Sequence, residues 1–138
     1  MFKKFDPSLY TKNDSAKLVA IQYFSTIGKQ ASINPDTYGI DLIVDDDFYC
    51  EVEVKHNWVG HEFPFDTLQI PLRKMKFTAL DKRSWFMVMN SDRTRAIVIK
   101  HEDLLDSRIT EVKNKYMNEG EKFFQVPKSK FKFISFQW

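Results

Sequence analysis

Three observations predict an α/β domain with a central mixed sheet. A stretch of helical periodicity opens the chain. Two pairs of apolar runs follow, each pair broken by a polar turn, as hairpins are. A second helix-like segment separates the two pairs, so the order is helix, hairpin, helix, hairpin, then a C-terminal extension. At 138 residues the chain has the length of one domain, 1–138, with no repeat, low-complexity tract or linker to divide it. Its hydrophobic content of 43%, with thirteen Phe, five Tyr and three Trp, is enough for a real core.

Residues 1–13 read as a basic arm around Lys3-Lys4. Asp14 or Ser15 can cap a helix that runs to about Ile27 on Leu18, Val19, Ile21, Tyr23 and Phe24, with Gly28 as its stop. Asn34-Pro35-Asp36 is turn-rich, and Asp36 reads as a turn residue. Tyr38–Val44 and Phe48–Lys55 form the first hairpin around Asp45-Asp46-Asp47. Thr67–Pro71 leads into a helix from about Pro71 to Leu80, with Leu72, Met75 and Ala79 turned inward. Ser84–Asn90 reads as a buried strand and Arg93–Lys100 as its hairpin partner. His101–Asp106 is one short helical turn, and two weaker strands near 109–115 and 123–126 flank a turn at Asn118–Glu121. Pro127–Ile134 alternates basic and aromatic residues. That pattern suits an edge strand guarded by lysines, or a strip that tracks a nucleic-acid backbone.

The first hairpin carries the chemistry. Alternation puts Glu51, Glu53 and Lys55 on one face and Cys50, Val52 and Val54 on the other. With the turn centred near Asp47, Asp41 lies across from Glu53, and Glu51 shares their face as a second acid or a surface residue. Facing carboxylates repel unless a cation sits between them. The plain alternative is a solvated face with a cross-strand salt pair.

Asp41 within Gly39-Ile40-Asp41, followed by Glu53-Val54-Lys55 on the next strand, resembles the PD-(D/E)xK nuclease superfamily, and in particular its small phage-encoded members. The resemblance covers about residues 14–100. It implies a restriction-endonuclease-like fold, an α-β-β-α-β core whose central mixed sheet is flanked by helices. It also implies an Mg²⁺- or Mn²⁺-dependent endonuclease that hydrolyses phosphodiester bonds in DNA by structure rather than by sequence. Asp41, Glu53 and the Val54 carbonyl would be metal ligands, and Lys55 the catalytic lysine. Gln69 matches the place of a glutamine that several members carry near the metal. The literal Pro35-Asp36 lies before the strand, so Asp41 is preferred to Asp36. Hard oxygen donors suit Mg²⁺, which takes one or two carboxylates and completes its shell with water and phosphate oxygens. Asp14 is the one acid of the first helix, and a capping role suits it better than a catalytic one. A non-catalytic nucleic-acid-binding or assembly module on the same fold is the alternative.

The remaining residues narrow the partners. Arg73, Lys74 and Lys76 crowd a helix start, against the macrodipole, and serve either phosphate contact or an ordinary solvated face. Net charge is +2, so a basic footprint must be local. The single Cys cannot form an internal disulfide and reads as core in a reducing compartment. No signal peptide is evident and no apolar run approaches the ~18 residues of a membrane span, so a cytoplasmic protein without a membrane partner is expected. His56 and His61 lack zinc-ligand spacing. No Gly-rich phosphate loop or Ser/His/Asp signature supports another enzyme. A domain this small touches little duplex, so cutting both strands favours a homodimer.

Overall fold

Ala16, Val19, Ala20 and Phe24 recur at helical spacing, and α1 (Lys12–Thr26) buries that stripe. Its end is a Schellman motif. Lys29 N–H donates to the Phe24 carbonyl at 2.8 Å and Gly28 N–H to the Ser25 carbonyl at 3.1 Å, with Gly28 at φ +77. The computed structural model describes residues 12–36, 39–114 and 117–136, and side chains in these except at 12–14 and 112–119. Residues 1–11 of the expected basic arm and Tyr38 therefore lie outside the described residues, as does the Asp14 side chain, whereas Lys12 and Asn13 already belong to α1, so positions 14 and 15 lie within the helix rather than at its cap.

The architecture is mixed α/β with a mixed sheet. Six strands lie in the order β1-β2-β3-β5-β6-β9, where β1 is Ala31–Ile33, β2 Leu42–Val44, β3 Phe48–Val54, β5 Arg83–Met89, β6 Arg95–Lys100 and β9 Lys132–Ser135. All neighbours are antiparallel except β3 and β5, which run parallel. A second antiparallel sheet has the order β4-β8-β7, from Thr67–Pro71, Met117–Pro127 and Arg108–Asn114. Alternation then sorts two cores. Leu42, Cys50, Val54, Met87 and Val98 pack under α1. Phe86, Val88, Ile97 and Ile99 face Leu68, Ile70, Phe124 and Val126 of the second sheet, with Leu104 of α2 (His101–Leu105). Each fully buried large apolar side chain contributes about 1.5–3 kcal/mol, so the double-sided burial of β5 and β6 is the main anchor of the sheet.

Several expectations change. α1 covers one face of the sheet, and the other is covered mainly by the second sheet, joined by the short helix α2 and a 3-10 helix through Leu104 and Phe77. Thr67–Pro71 is not a lead-in but a strand, with Leu68 and Ile70 buried and Gln69 exposed. The segment expected as a helix over 71–80 is a 3-10 helix, Leu72–Thr78, with no acid in its first turn and no side-chain cap. It buries Phe77, whereas Met75 is 44% exposed. The tail reversal is earlier than Asn118, because Asn114 already pairs with Met117. Pro127–Ile134 resolves into a 3-10 turn, Lys128–Lys130, and the edge strand β9 on β6.

The first hairpin is also re-registered. Leu42 pairs with Cys50 and Val44 with Phe48, so the turn centres on Asp46 rather than Asp47. Asp45 and Asp46 both adopt positive φ, at 53 and 54, and Asp47 N–H closes the turn on the Val44 carbonyl. Asp41 consequently falls opposite Glu51, not Glu53.

Candidate functional site

Asp41 is fixed from β1. Asn34 N–H donates to the Asp41 carbonyl at 2.9 Å, and Asn34 Nδ2 to the Ile40 carbonyl at 3.0 Å. A Cβ on Gly39 would sit 2.8 Å from that Nδ2 and 3.2 Å from Asp36 Oδ2. Gly39→Ala is therefore expected to break the Asn34 bond and lower stability by about 1 kcal/mol in a urea melt. If Asn34→Ala and Gly39→Ala add fully when combined, the two do not act through that bond. Asp36 is a turn residue, its N–H bonded to Asn34 Oδ1 at 3.1 Å.

Because β2 begins at Leu42, β3 beyond Cys50 is bordered by β5 on one side and by no β2 residue on the other. Asp41 fills the first open position with its side chain. Val52 N–H donates to Asp41 Oδ2 at 2.8 Å, Asp41 N–H donates to Glu51 Oε1 at 3.3 Å, and Lys17 Nζ of α1 lies 3.4 Å from Asp41 Oδ1. From the opposite side of the sheet, Lys74 Nζ of the 3-10 helix reaches Glu51 Oε2 at 2.5 Å. These residues, with Val52, Glu53, Val54 and His56, line an open cleft of about 350 Å³.

The cleft sets two acids against each other. Glu51 is 7% exposed, and its pKa is raised to about 7, first by burial and then by Asp41, while Lys74 pulls it back. The Cys50 thiol beneath is pushed well above its usual value by burial, with the Asp41 and Glu51 charges adding, so it is an inert core residue.

The structure thus gathers Asp41, Glu53 and Val54 around one cleft and adds Glu51, Lys17 and Lys74. Lys55 follows directly, but its ammonium stands 5.1 Å over the Phe65 ring rather than in the cleft. Gln69 is exposed on β4 opposite Gln125 and does not line the cleft. The basic cluster is largely engaged: Arg73 pairs with Glu121, Lys74 with Glu51, and Lys76 lies 5.1 Å over the Phe77 ring. Sequence reasoning missed Lys17, whose only signal is its place beside the small buried residues Ala16 and Ala20. It also left Glu51 undecided. The apolar neighbours of Glu51 on β3 and Phe86 beside it on β5 were the signal of burial. Among the described residues no group of three or more His, Cys, Asp or Glu is arranged to hold a metal ion, and no helix is long and apolar enough to cross a membrane. Compared with models of known protein families and with curated proteins, the chain matches none.

Proposed function

We propose that the chain is a divalent-metal-dependent nuclease acting on DNA, on the restriction-endonuclease-like fold its sequence resembles. The observation that carries this reading is the opposed pair Asp41 and Glu51, with Glu53 beside them, on the open flank of β3. The order α1, β2-β3 hairpin, crossover, parallel β5 supports it too, although the crossover holds β4 and a 3-10 helix where a regular helix was expected.

The donor set fits Mg²⁺ or Mn²⁺. Each carboxylate has about four lone-pair sites, more than its contacts occupy, and one or two carboxylates are enough for such an ion. Asp41, Glu53 and the Val54 carbonyl would hold it, with Glu51 behind Asp41. The ion supplies a water of lowered pKa and neutralises charge on the phosphate. Lys74 keeps Glu51 able to ionise near neutral pH. Lys17 orients Asp41 from the other side. Lys55 is held by one cation–π contact worth about 0.5–1 kcal/mol, so its flexible stem is free to bring positive charge to a phosphate beside Glu53. Arg73 and Lys76 stay exposed for backbone contact. Two copies would be needed to cut both strands of a duplex at one place.

The test is a panel of labelled DNA and RNA duplexes, flaps, junctions and single strands, incubated with Mg²⁺, Mn²⁺ or EDTA. Cleavage of a DNA substrate with either ion, and none in EDTA, is expected; no cleavage of any substrate sinks the proposal. Lys55→Ala should abolish cleavage while moving stability by no more than about 1 kcal/mol, since among the described residues its ammonium meets the Phe65 ring alone. Cutting at the wild-type rate would remove Lys55 from the site.

One observation favours a second reading. Lys17 and Lys74 already neutralise the two acids without an ion, as a nucleic-acid-binding module would need. Such a module would hold DNA equally well in EDTA and cut nothing.

A further inference from the structure

A second cleft lies at the other end of β3 and shares no lining residue with the first. It exists because α1 stops short. Gly28 turns the chain away, and the α1 face of the sheet is left open where β3 and β5 begin and β6 ends. Alternation carries Arg83 and Trp85 of β5 and Lys100 of β6 onto this face. The register sets Lys100 against Trp85 and Arg83 against Phe48. Lys29 arrives from the α1 terminus, its Nζ 5.7 Å over the Phe48 ring. The floor is the half-buried Trp85 indole, packed on Phe48 with centroids 4.4 Å apart. The space enclosed is about 280 Å³.

We infer that this cleft binds a phosphate group, carried by a free nucleotide or by a nucleic-acid backbone. Lys29, Arg83 and Lys100 line it, and none forms an ion pair with a described carboxylate, although Asp47 and Glu102 line it too. Three cations against two carboxylates leave the lining net positive, which draws anions to it. A phosphate oxygen set answers that arrangement: Arg presents a planar fork and Lys a mobile point charge, and both form charge-assisted bonds to it. Asp47 and Glu102 temper that positive charge. They also offer acceptors to sugar hydroxyls beside the phosphate. The site does not depend on the reading of the carboxylate cleft, since it involves neither Asp41 nor Glu51.

The experiment is titration of the full chain in EDTA, followed by amide NMR shifts, with inorganic phosphate, dAMP, deoxyadenosine and a short single-stranded oligonucleotide. Phosphate and dAMP are expected to saturate with shifts at Arg83, Trp85 and Lys100, and deoxyadenosine to leave them unmoved. Arg83→Gln/Lys100→Gln should weaken dAMP binding about tenfold or more, while Arg108→Gln leaves it unchanged. Lys29→Gln alone serves if the double variant does not fold. Oligonucleotide binding lost in the same variants identifies a backbone phosphate as the source; dAMP binding alone identifies a free nucleotide. The inference is overturned if deoxyadenosine binds as well as dAMP, if the variants bind like the wild type, or if nothing saturates.

Discussion

Lys74→Met is expected to cost more stability at pH 8.5 than at pH 5.5, by up to about 2 kcal/mol. Glu51 titrates at about 7 in the folded chain, against 4.5 for an ordinary glutamate. A carboxyl with a raised folded pKa contributes stability in its protonated form, complete below about pH 4.5 and lost as pH rises through 7. Lys74 limits that loss by stabilising the carboxylate; without it the folded pKa climbs further. Below 7 the folded wild type and variant both hold the proton, so the pH-dependent gap opens only above it. At about 1.36 kcal/mol per pH unit, the interval from 7 to 8.5 bounds the gap at about 2 kcal/mol. Urea melts of both proteins at the two pH values measure it. A gap independent of pH would mean that Glu51 does not depend on Lys74 for its charge.

Asp41→Asn should have the largest effect on function, a loss of roughly 100-fold or more in metal-dependent cleavage, consistent with the several kcal/mol an ion supplies. It should not destabilise the ion-free protein. The asparagine oxygen can still accept from Val52 N–H, and removing the negative charge lets the Glu51 pKa fall, which raises stability above pH 7. Wild type should gain about 2.7 kcal/mol from Mn²⁺ at 100 times its dissociation constant, and Asp41→Asn should lose most of that gain. Melting curves of both proteins in EDTA and in Mn²⁺ decide the matter. A wild-type curve unmoved by Mn²⁺ argues for the salt-pair reading, with Lys17 and Lys74 as the resident cations. A gain that survives in Asp41→Asn transfers the ligand role to Glu51 and Glu53.

What the sequence made legible follows from length and alternation. β3, β5 and β6 are long enough for period-2 patterning to repeat, and α1 carries its stripe over two turns and ends on a glycine. β1, three residues long, has too few positions to show a period. β4 was hidden by Pro71, which reads as a helix start but here ends a strand at the edge of the second sheet. The hairpin register turned on which two of three consecutive aspartates would take positive φ. Nothing in Asp45-Asp46-Asp47 distinguishes them, and the choice of the first two moved Asp41 from Glu53 to Glu51. The candidate site was legible as Asp41, Glu53 and Val54 on one hairpin. Its cations were not, because Lys17 and Lys74 reach it from elements distant in sequence on opposite sides of the sheet.

That last arrangement bears on how the molecule is made. Glu51 enters its strand early, in a hairpin that closes locally, but its counter-charge comes from residues 55–82, the crossover that must be laid down before β5 can pair in parallel with β3. Parallel pairing across such a loop is slow compared with hairpin closure. During that interval Glu51 lies past the end of the β2 pairing and stays in water, since Phe86 of β5 is what covers it. The crossover that brings β5 also carries Lys74, so the carboxylate is buried and given its counter-charge in one step.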